Sequence, residues 1–126
     1  MVEKIFSSQA APPAGPYSQA IRAGDFIFVA GQGPIDKDGN VIRGTIAEQT
    51  RLTLQNISNI LEAAGASLKQ VVRTSCHLSQ LTPETFKEFN EVYKEFFQDP
   101  LPTRITVGSS LLGIDVEIEV IAYAGK

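Results

Sequence analysis

The chain has 126 residues, 43% hydrophobic and 20% charged, with a formal net charge of -3 at pH 7. This length fits a single domain over residues 1–126 with a core of its own, and the composition excludes extensive disorder. An acidic balance without clustered Lys or Arg argues against nucleic acid or a membrane as the partner, and a single cysteine without a signal-type apolar segment predicts a cytoplasmic location.

The first third of the chain predicts three short strands. Residues 2–6 fit an edge strand, and the proline-rich residues 11–16 must be extended or turned. A hairpin follows, in which residues 20–22 and 25–30 flank Ala-Gly. Its second strand is apolar on both faces at residues 26–29, which predicts a central position in the sheet.

Three residues in this region are candidates for a ligand site. Tyr17, held by the proline-rich segment, either forms the wall of such a site or covers the core. Gly31 and Gly33 stop the strand, and glycines there either form a turn or let a ligand approach the backbone.

The first helix is predicted from its capping signals and its periodicity. Thr45 and Glu48 fit a capping box, and Leu54, Ile57 and Leu61 recur at spacings of three and four. Gly65 is expected to end this helix.

A strand is predicted over residues 70–79, where side chains alternate between two faces. Val72, Thr74, Cys76 and Leu78 share the face that we expect to point inward. Cys76 and His77 then point to opposite faces and cannot act as a nucleophile and its base, so Cys76 is predicted to be structural.

The second helix is predicted to begin with Thr82 as N-cap and Pro83 as the first helical residue. An aromatic stripe along it predicts a core-facing side. The stripe consists of Phe86, Phe89, Tyr93 and Phe96.

Residues 102–124 alternate as two strands that carry a small set of charges. A hairpin between them would set Arg104 opposite Glu119 and Thr106 opposite Glu117. These side chains form either a solvated row of ion pairs, worth about 0–1 kcal/mol, or a polar pocket. In the pocket, Arg104 would hold a carboxylate and Glu119 would handle a proton or a water.

The order of these elements is a run of strands, a helix, a strand, a helix and a hairpin. Two amphipathic helices and a largely antiparallel sheet predict an α+β fold with both helices on one sheet face.

Four motifs in matching order along nearly the whole chain resemble the Rid family, the reactive-intermediate 2-imino acid deaminases that are also called YjgF-like proteins. The motifs are Gly-Pro-Tyr-Ser-Gln-Ala at 15–20, Ala-Gly-Gln at 30–32, Asn-Glu-Val-Tyr at 90–93 and Glu-Ile-Glu-Val-Ile-Ala at 117–122. The resemblance implies a chorismate-mutase-like fold and a homotrimer with ligand clefts between subunits. It also implies that no cofactor and no metal are used.

The resemblance also assigns roles to individual residues. Arg104 resembles the arginine that binds the substrate carboxylate, and Glu119 the acid that positions the attacking water. Tyr17 matches the wall of the cleft, Gly31 offers backbone groups to the ligand, and Asn90 lines the same cleft.

The chain departs from the commonest family pattern at several positions. Thr106 stands where a cysteine usually follows the arginine, Ala30 replaces a serine and Gly33 replaces an isoleucine. Thr106 is still placed in the substrate site, because it keeps a small hydrogen-bonding group while it lacks a thiol.

The function implied is hydrolytic deamination of reactive 2-imino acids and enamines, released by pyridoxal-phosphate enzymes, to 2-oxo acids and ammonia. This is the activity of a 2-iminobutanoate/2-iminopropanoate deaminase. One alternative is a non-catalytic regulator that binds small molecules in the same clefts. The other is an RNA-cleaving translation inhibitor, which the acidic balance opposes.

Overall fold

The computed structural model describes residues 1–125 as a six-stranded sheet with two α-helices. The strand order is β1-β2-β3-β6-β4-β5, and every neighbouring pair is antiparallel except β4 with β5, which is parallel. The predicted α+β class with a mostly antiparallel mixed sheet is confirmed. The elements are β1 (Val2–Ile5), β2 (Ala20–Ala23), β3 (Phe26–Gln32), α1 (Ile46–Ala63), β4 (Val71–Leu78), α2 (Pro83–Phe96), β5 (Thr103–Gly108) and β6 (Val116–Tyr123).

Both helices begin where the sequence predicts. The Glu48 amide donates to Thr45 Oγ1 at 3.1 Å and the Thr45 amide donates to Glu48 Oε1 at 2.8 Å, which completes the capping box of α1. Beyond the end of this helix, Gly65 adopts a φ of 77°, the left-handed conformation that glycine tolerates. Thr82 caps α2, whose first helical residue is Pro83.

The core lies between the two helices and one face of the sheet. Fully buried apolar side chains from α1 and α2 meet the inward side chains of β3, β4 and β6. The opposite face of the sheet carries exposed aromatic and aliphatic side chains, and we call it the open face. Its exposed large hydrophobic residues include Phe26, Phe28, Ile105 and Tyr123.

The predicted hairpin between the last two strands is wrong, because β4 lies between β5 and β6. α2 connects β4 to β5 as a crossover, so β5 returns parallel to β4 on its outer edge. β6 pairs with the other edge of β4. The segment between β5 and β6 crosses the end of β4, where the Ser109 amide donates to the Leu78 carbonyl at 2.9 Å and the Ser79 amide to the Asp115 carbonyl at 3.0 Å.

A β-bulge corrects the predicted inward face of β4. Val71 pairs with Ala122 and Arg73 with Ile121, so Val72 is an extra residue on its strand. Val72 is consequently 43% exposed, whereas Thr74, Cys76 and Leu78 point inward as predicted.

Asp115 ties the segment before β6 to α1 and to the end of β4. Its carboxylate accepts hydrogen bonds from the Ser79 hydroxyl at 2.7 Å and the Gln49 side-chain amide at 2.9 Å. Its own backbone amide donates to Gln49 Oε1 at 2.9 Å. The bond from Ser79 and then the bond from Gln49 lower the pKa of Asp115 below its usual value of 3.8.

Asp115→Asn is expected to lower the melting temperature by about 3–6 °C near neutral pH, the equivalent of about 1 kcal/mol. Both carboxylate oxygens accept hydrogen bonds, so the amide nitrogen of an asparagine would face a donor, either the Ser79 hydroxyl or the Gln49 amide, and one bond would be lost. The pKa of the Asp115 carboxyl is lower in the folded state than in the unfolded state. The ionised carboxylate therefore stabilises the fold fully above the unfolded pKa near 4, and this stabilisation is lost as pH falls through the folded pKa. Melting temperatures from pH 2 to 7 check this.

Asp38→Asn is the matched control, because Asp38 is exposed in a turn. It should leave the melting curve nearly unchanged at every pH. A difference between Asp115→Asn and the parent that persists undiminished below pH 2.5 would contradict the assignment to the ionised carboxylate.

Candidate active site

Arg104 lies on the edge strand β5 and points to the helix-covered side of the sheet. Its Cα pairs with that of Thr74 on β4, a residue whose side chain is fully buried. The guanidinium carbon lies 4.7 Å from the ring centroid of Tyr93, 5.4 Å from that of Phe86 and 5.6 Å from that of Phe89. Within residues 1–125, no Asp or Glu forms a salt bridge with Arg104. This half-buried cation is therefore stacked on aromatic rings and is not neutralised by a carboxylate of the described chain.

Two further predicted site residues lie on the same side of the sheet. Thr106 follows Arg104 by two positions on β5 and pairs with Cys76, so it shares the face of Arg104. Asn90 belongs to α2, and its Oδ1 atom is buried without a hydrogen-bond partner among residues 1–125. Buried polar atoms are nearly always paired in native proteins, so this acceptor is an exception among the described residues. We call Arg104, Thr106 and Asn90 the arginine group.

Glu119 lies on the open face, opposite the side to which Arg104 points. Its Cα pairs with that of Ser75, and its neighbours line a cavity of about 130 Å³. Glu117 pairs in the same way with His77. The predicted pairings of Arg104 with Glu119 and of Thr106 with Glu117 are both wrong. The remaining lining residues of the cavity are Phe28, Val29, Arg73, Val120 and Ile121.

Gly31 lies beside β6, at the irregular end of β3. A Cβ atom on Gly31 would come within 2.7 Å of the carboxylate oxygen Oε2 of Glu117, so a larger residue here would displace that side chain. Glu117 precedes Glu119 by two residues, and both point to the open face.

Tyr17 lines a second, smaller cavity of about 30 Å³ together with Gly31. Its hydroxyl accepts a hydrogen bond from the Ala14 amide at 3.2 Å. The buried Gln19 side chain holds the proline-rich segment by donating to the Ala11 carbonyl at 2.8 Å and accepting from the Ser7 amide at 2.7 Å. This segment is therefore an ordered loop that fixes Tyr17. Glu119 lines a different cavity from Tyr17 and Gly31, and we call these three residues the glutamate group.

Two contributions to these groups were not predicted from the sequence. The stripe of Phe86, Phe89 and Tyr93 was predicted to face the core, and it also forms the surface on which Arg104 stacks. Arg73 had no predicted role, and it lines the cavity of Glu119. Side chains alternate along β4, which places Arg73 and Ser75 on one face. This alternation is the sequence feature that could have predicted the lining of the Glu119 cavity.

Cys76 is buried in the core, and His77 points the other way, where its Nδ1 shares a hydrogen bond of 2.7 Å with Ser109 Oγ. Burial raises the pKa of the Cys76 thiol from 9.0 to about 11, against the smaller opposing effects of Thr74 and Arg104. Within the described part of the chain, no three His, Cys, Asp or Glu side chains are placed to hold a metal ion.

Cys76 is expected to resist thiol reagents in the native protein and to react at once in denaturant. A pKa of about 11 in place of 9.0 means about 100-fold less thiolate at pH 8, and burial limits access further. A kinetic comparison of labelling in buffer and in guanidinium checks this. Rapid labelling of the native chain, with activity lost in step, would contradict a structural role.

Two helices that cover one face of this sheet define an α+β protein of chorismate-mutase-like architecture. A family model described as Endoribonuclease L-PSP matches residues 8–124. The chain belongs to this family, which includes the Rid, YjgF-like and RutC proteins, as the four motifs predicted.

Several members are similar over almost the whole chain. A RutC family protein from Pyrococcus horikoshii is 50% identical over 126 residues, covering 98% of each chain. A mitochondrial protein from Schizosaccharomyces pombe is 44% identical and covers 86% of this chain and 87% of its own. The crystal structure of E. coli TdcF with bound serine has a TM-score of 0.88 and 32% identity, covering 98% of this chain and 99% of its own.

Proposed function

We propose that this protein hydrolyses 2-imino acids and their enamine tautomers to 2-oxo acids and ammonia. The observation that carries the proposal is Arg104, a half-buried guanidinium that forms no salt bridge with residues 1–125. Its planar fork suits two parallel hydrogen bonds to a carboxylate, the group that every 2-imino acid carries. Further support comes from the related TdcF, whose crystal structure contains bound serine, an amino acid with a carboxylate.

The substrate is proposed to bind between two copies of the chain in a homotrimer. Arg104 and Glu119 point to opposite sides of one sheet, so one chain does not present both to the same small ligand. A neighbouring copy that packs against the edge strand β5 would bring its glutamate group to the arginine group of the first. Such packing would also cover apolar side chains of the open face, of which Phe28 is 41% exposed.

The trimer is expected to be the species present at micromolar concentration. Sedimentation equilibrium should give three times the chain mass of 13.6 kDa. A monomer at that concentration would contradict the assembly.

Each group has a proposed role in the hydrolysis. Arg104 binds the carboxylate, the Gly31 backbone orients the imine nitrogen, and Asn90 lines the cleft. Glu119 takes a proton from water as the water oxygen bonds to the imine carbon and the nitrogen gains a proton. Glu119 then passes its proton to the amino nitrogen of the resulting carbinolamine, whose hydroxyl proton goes to water as the C–N bond breaks, so that ammonia leaves and the 2-oxo acid remains. Thr106 lines the site beside Arg104.

The second candidate function is RNA cleavage, which the family description names. The net charge of -3 opposes it, because RNA binding depends on Lys and Arg contacts to phosphates. Cleavage of RNA at physiological salt that survives Glu119→Gln would favour this function over imine hydrolysis.

The cellular location stays a prediction. No helix of residues 1–125 is long and apolar enough to cross a membrane. A relative from Schizosaccharomyces pombe is mitochondrial, so the family is not confined to the cytoplasm.

The proposed activity is tested with freshly generated 2-imino acids. An amino acid oxidase releases the imine in the assay, and ammonia is followed with and without the protein over a panel of side chains. We expect faster ammonia release than in the uncatalysed control for several members of the panel. Rates equal to the control for every imine would overturn the proposal.

A further inference from the structure

Arg104 rests on three rings that all come from one helix. Phe86, Phe89 and Tyr93 recur at spacings of three and four, so they form one stripe of α2. All three centroids lie within 6 Å of the guanidinium carbon, the range of cation–π attraction, and Tyr93 is the nearest at 4.7 Å. The position of the guanidinium therefore follows the position of these rings.

Tyr93 is also attached to the strand next to Arg104. Its hydroxyl shares a hydrogen bond of 2.8 Å with Thr74 Oγ1, and both side chains are buried. Thr74 is the residue whose Cα pairs with that of Arg104 across β4 and β5. Burial is the largest effect on the pKa of Tyr93 and raises it, so the ring stays a neutral phenol. The bond fixes the Tyr93 ring to the backbone position directly beside Arg104.

We propose that Tyr93, oriented by Thr74, is the positioning residue for the Arg104 guanidinium and thereby sets the affinity for the substrate carboxylate. Tyr93 is the ring nearest to the guanidinium carbon, so the loss of this ring should change the position of the guanidinium the most. Phe86 and Phe89 stack on the same group, but their side chains carry no hydrogen-bonding atom that could anchor them to the sheet. The inference rests on the proposed function for the identity of the ligand.

The chain offers a matched control for the loss of a buried aromatic ring. Phe97 stacks on Tyr93 at 4.6 Å between centroids and is 4% exposed, compared with 7% for Tyr93. Arg104 stacks on Tyr93 and not on Phe97. Phe97→Leu thus disturbs the same core cluster as Tyr93→Leu without removing a ring from Arg104.

The first measurement separates KM from kcat for imine hydrolysis in folded, assembled variants. Tyr93→Leu is expected to raise KM about tenfold with kcat within about twofold, because the carboxylate contact is present in ground and transition states alike. Tyr93→Phe keeps the ring but loses the bond to Thr74, so its KM should lie between those of the parent and Tyr93→Leu. Phe97→Leu should stay within about twofold of the parent KM. Equal KM values for Tyr93→Leu and the parent would overturn the proposal, as would equal increases for Tyr93→Leu and Phe97→Leu.

The second measurement does not depend on turnover. The NMR signal of the Arg104 side-chain Nε–H, assigned by its loss in Arg104→Lys, reports the ring beneath it. We expect Tyr93→Leu to move this signal toward that of a free arginine and Phe97→Leu to leave it close to the parent. An Arg104 signal that does not respond to Tyr93→Leu would overturn the proposal. If the parent hydrolyses no imine, the proposed function fails, and this signal still decides whether Tyr93 positions Arg104.

Discussion

Glu119→Gln is expected to lower kcat for imine hydrolysis about 100-fold or more while the protein still binds 2-oxo acids with nearly the parent affinity. A glutamine side chain hydrogen-bonds a water but does not accept its proton, and a positioned general base contributes about 10²–10⁴-fold. Steady-state rates with freshly generated imine, together with calorimetric titration of a 2-oxo acid, give the two values.

Glu84→Gln is the control for Glu119→Gln, since Glu84 is an exposed residue in the first turn of α2. It should keep the parent kcat. A folded Glu119→Gln variant with a kcat within threefold of the parent would remove Glu119 from the mechanism. If the parent binds 2-oxo acids and releases no ammonia from any imine, the protein is a regulator.

Arg104→Ala is expected to lower kcat/KM by about 10- to 150-fold, because a hydrogen bond to a charged group is worth about 1.5–3 kcal/mol. Arg104→Lys should recover little of this loss, since an ammonium lacks the planar fork. The fold should survive both changes, because backbone pairing with β4 holds β5 in place. Steady-state kinetics on folded, assembled variants provide the measurement.

Arg51→Ala is the matched control for Arg104→Ala. Arg51 forms a surface ion pair with Glu95 at 2.8 Å, in which both side chains are about half exposed. Such a pair contributes about 0–1 kcal/mol to stability, so this variant should change kcat/KM little. Hydrolysis by Arg104→Ala within twofold of the parent would show that Arg104 does not bind the carboxylate.

Local signals in the sequence predicted the helices and the core well. Thr45, Glu48 and Gly65 mark the ends of α1 through contacts within a few residues, and such contacts can be read from the chain itself. Thr82 and Pro83 did the same for the start of α2. Cys76 was placed correctly because alternation along β4 separates it from His77.

Strand pairing was harder to predict, because the partner of β5 depends on the path of α2. The last two strands are neighbours in sequence, which suggested a hairpin, but the crossover inserts β4 between them. Thr74 pairs with Arg104 on one side and with Val120 on the other, so the residue in line with Arg104 on β6 is Val120. Glu119 is one position away from it. Since side chains alternate with a period of two, that single step places Glu119 on the opposite face.

Other parts of the candidate site are visible only in three dimensions. Asn90 was assigned through a family motif, and the sequence gives no indication that its Oδ1 is buried without a partner. The aromatic spacing on α2 predicts a buried stripe, but it does not reveal that Arg104 stacks on that stripe. Such contacts join residues that are distant in the chain, and only the packing of α2 over β5 creates them.

The central claim is that a working site combines Arg104 of one chain with Glu119 of another, and mixed trimers test it most directly. Arg104→Ala and Glu119→Gln chains are unfolded, mixed in equal amounts and refolded together. If each cleft draws Arg104 and Glu119 from different chains, about a quarter of the clefts carry both native residues, and activity should recover to about a quarter of the parent. Activity no higher than the mean of the two variants refolded separately would contradict a site shared between chains.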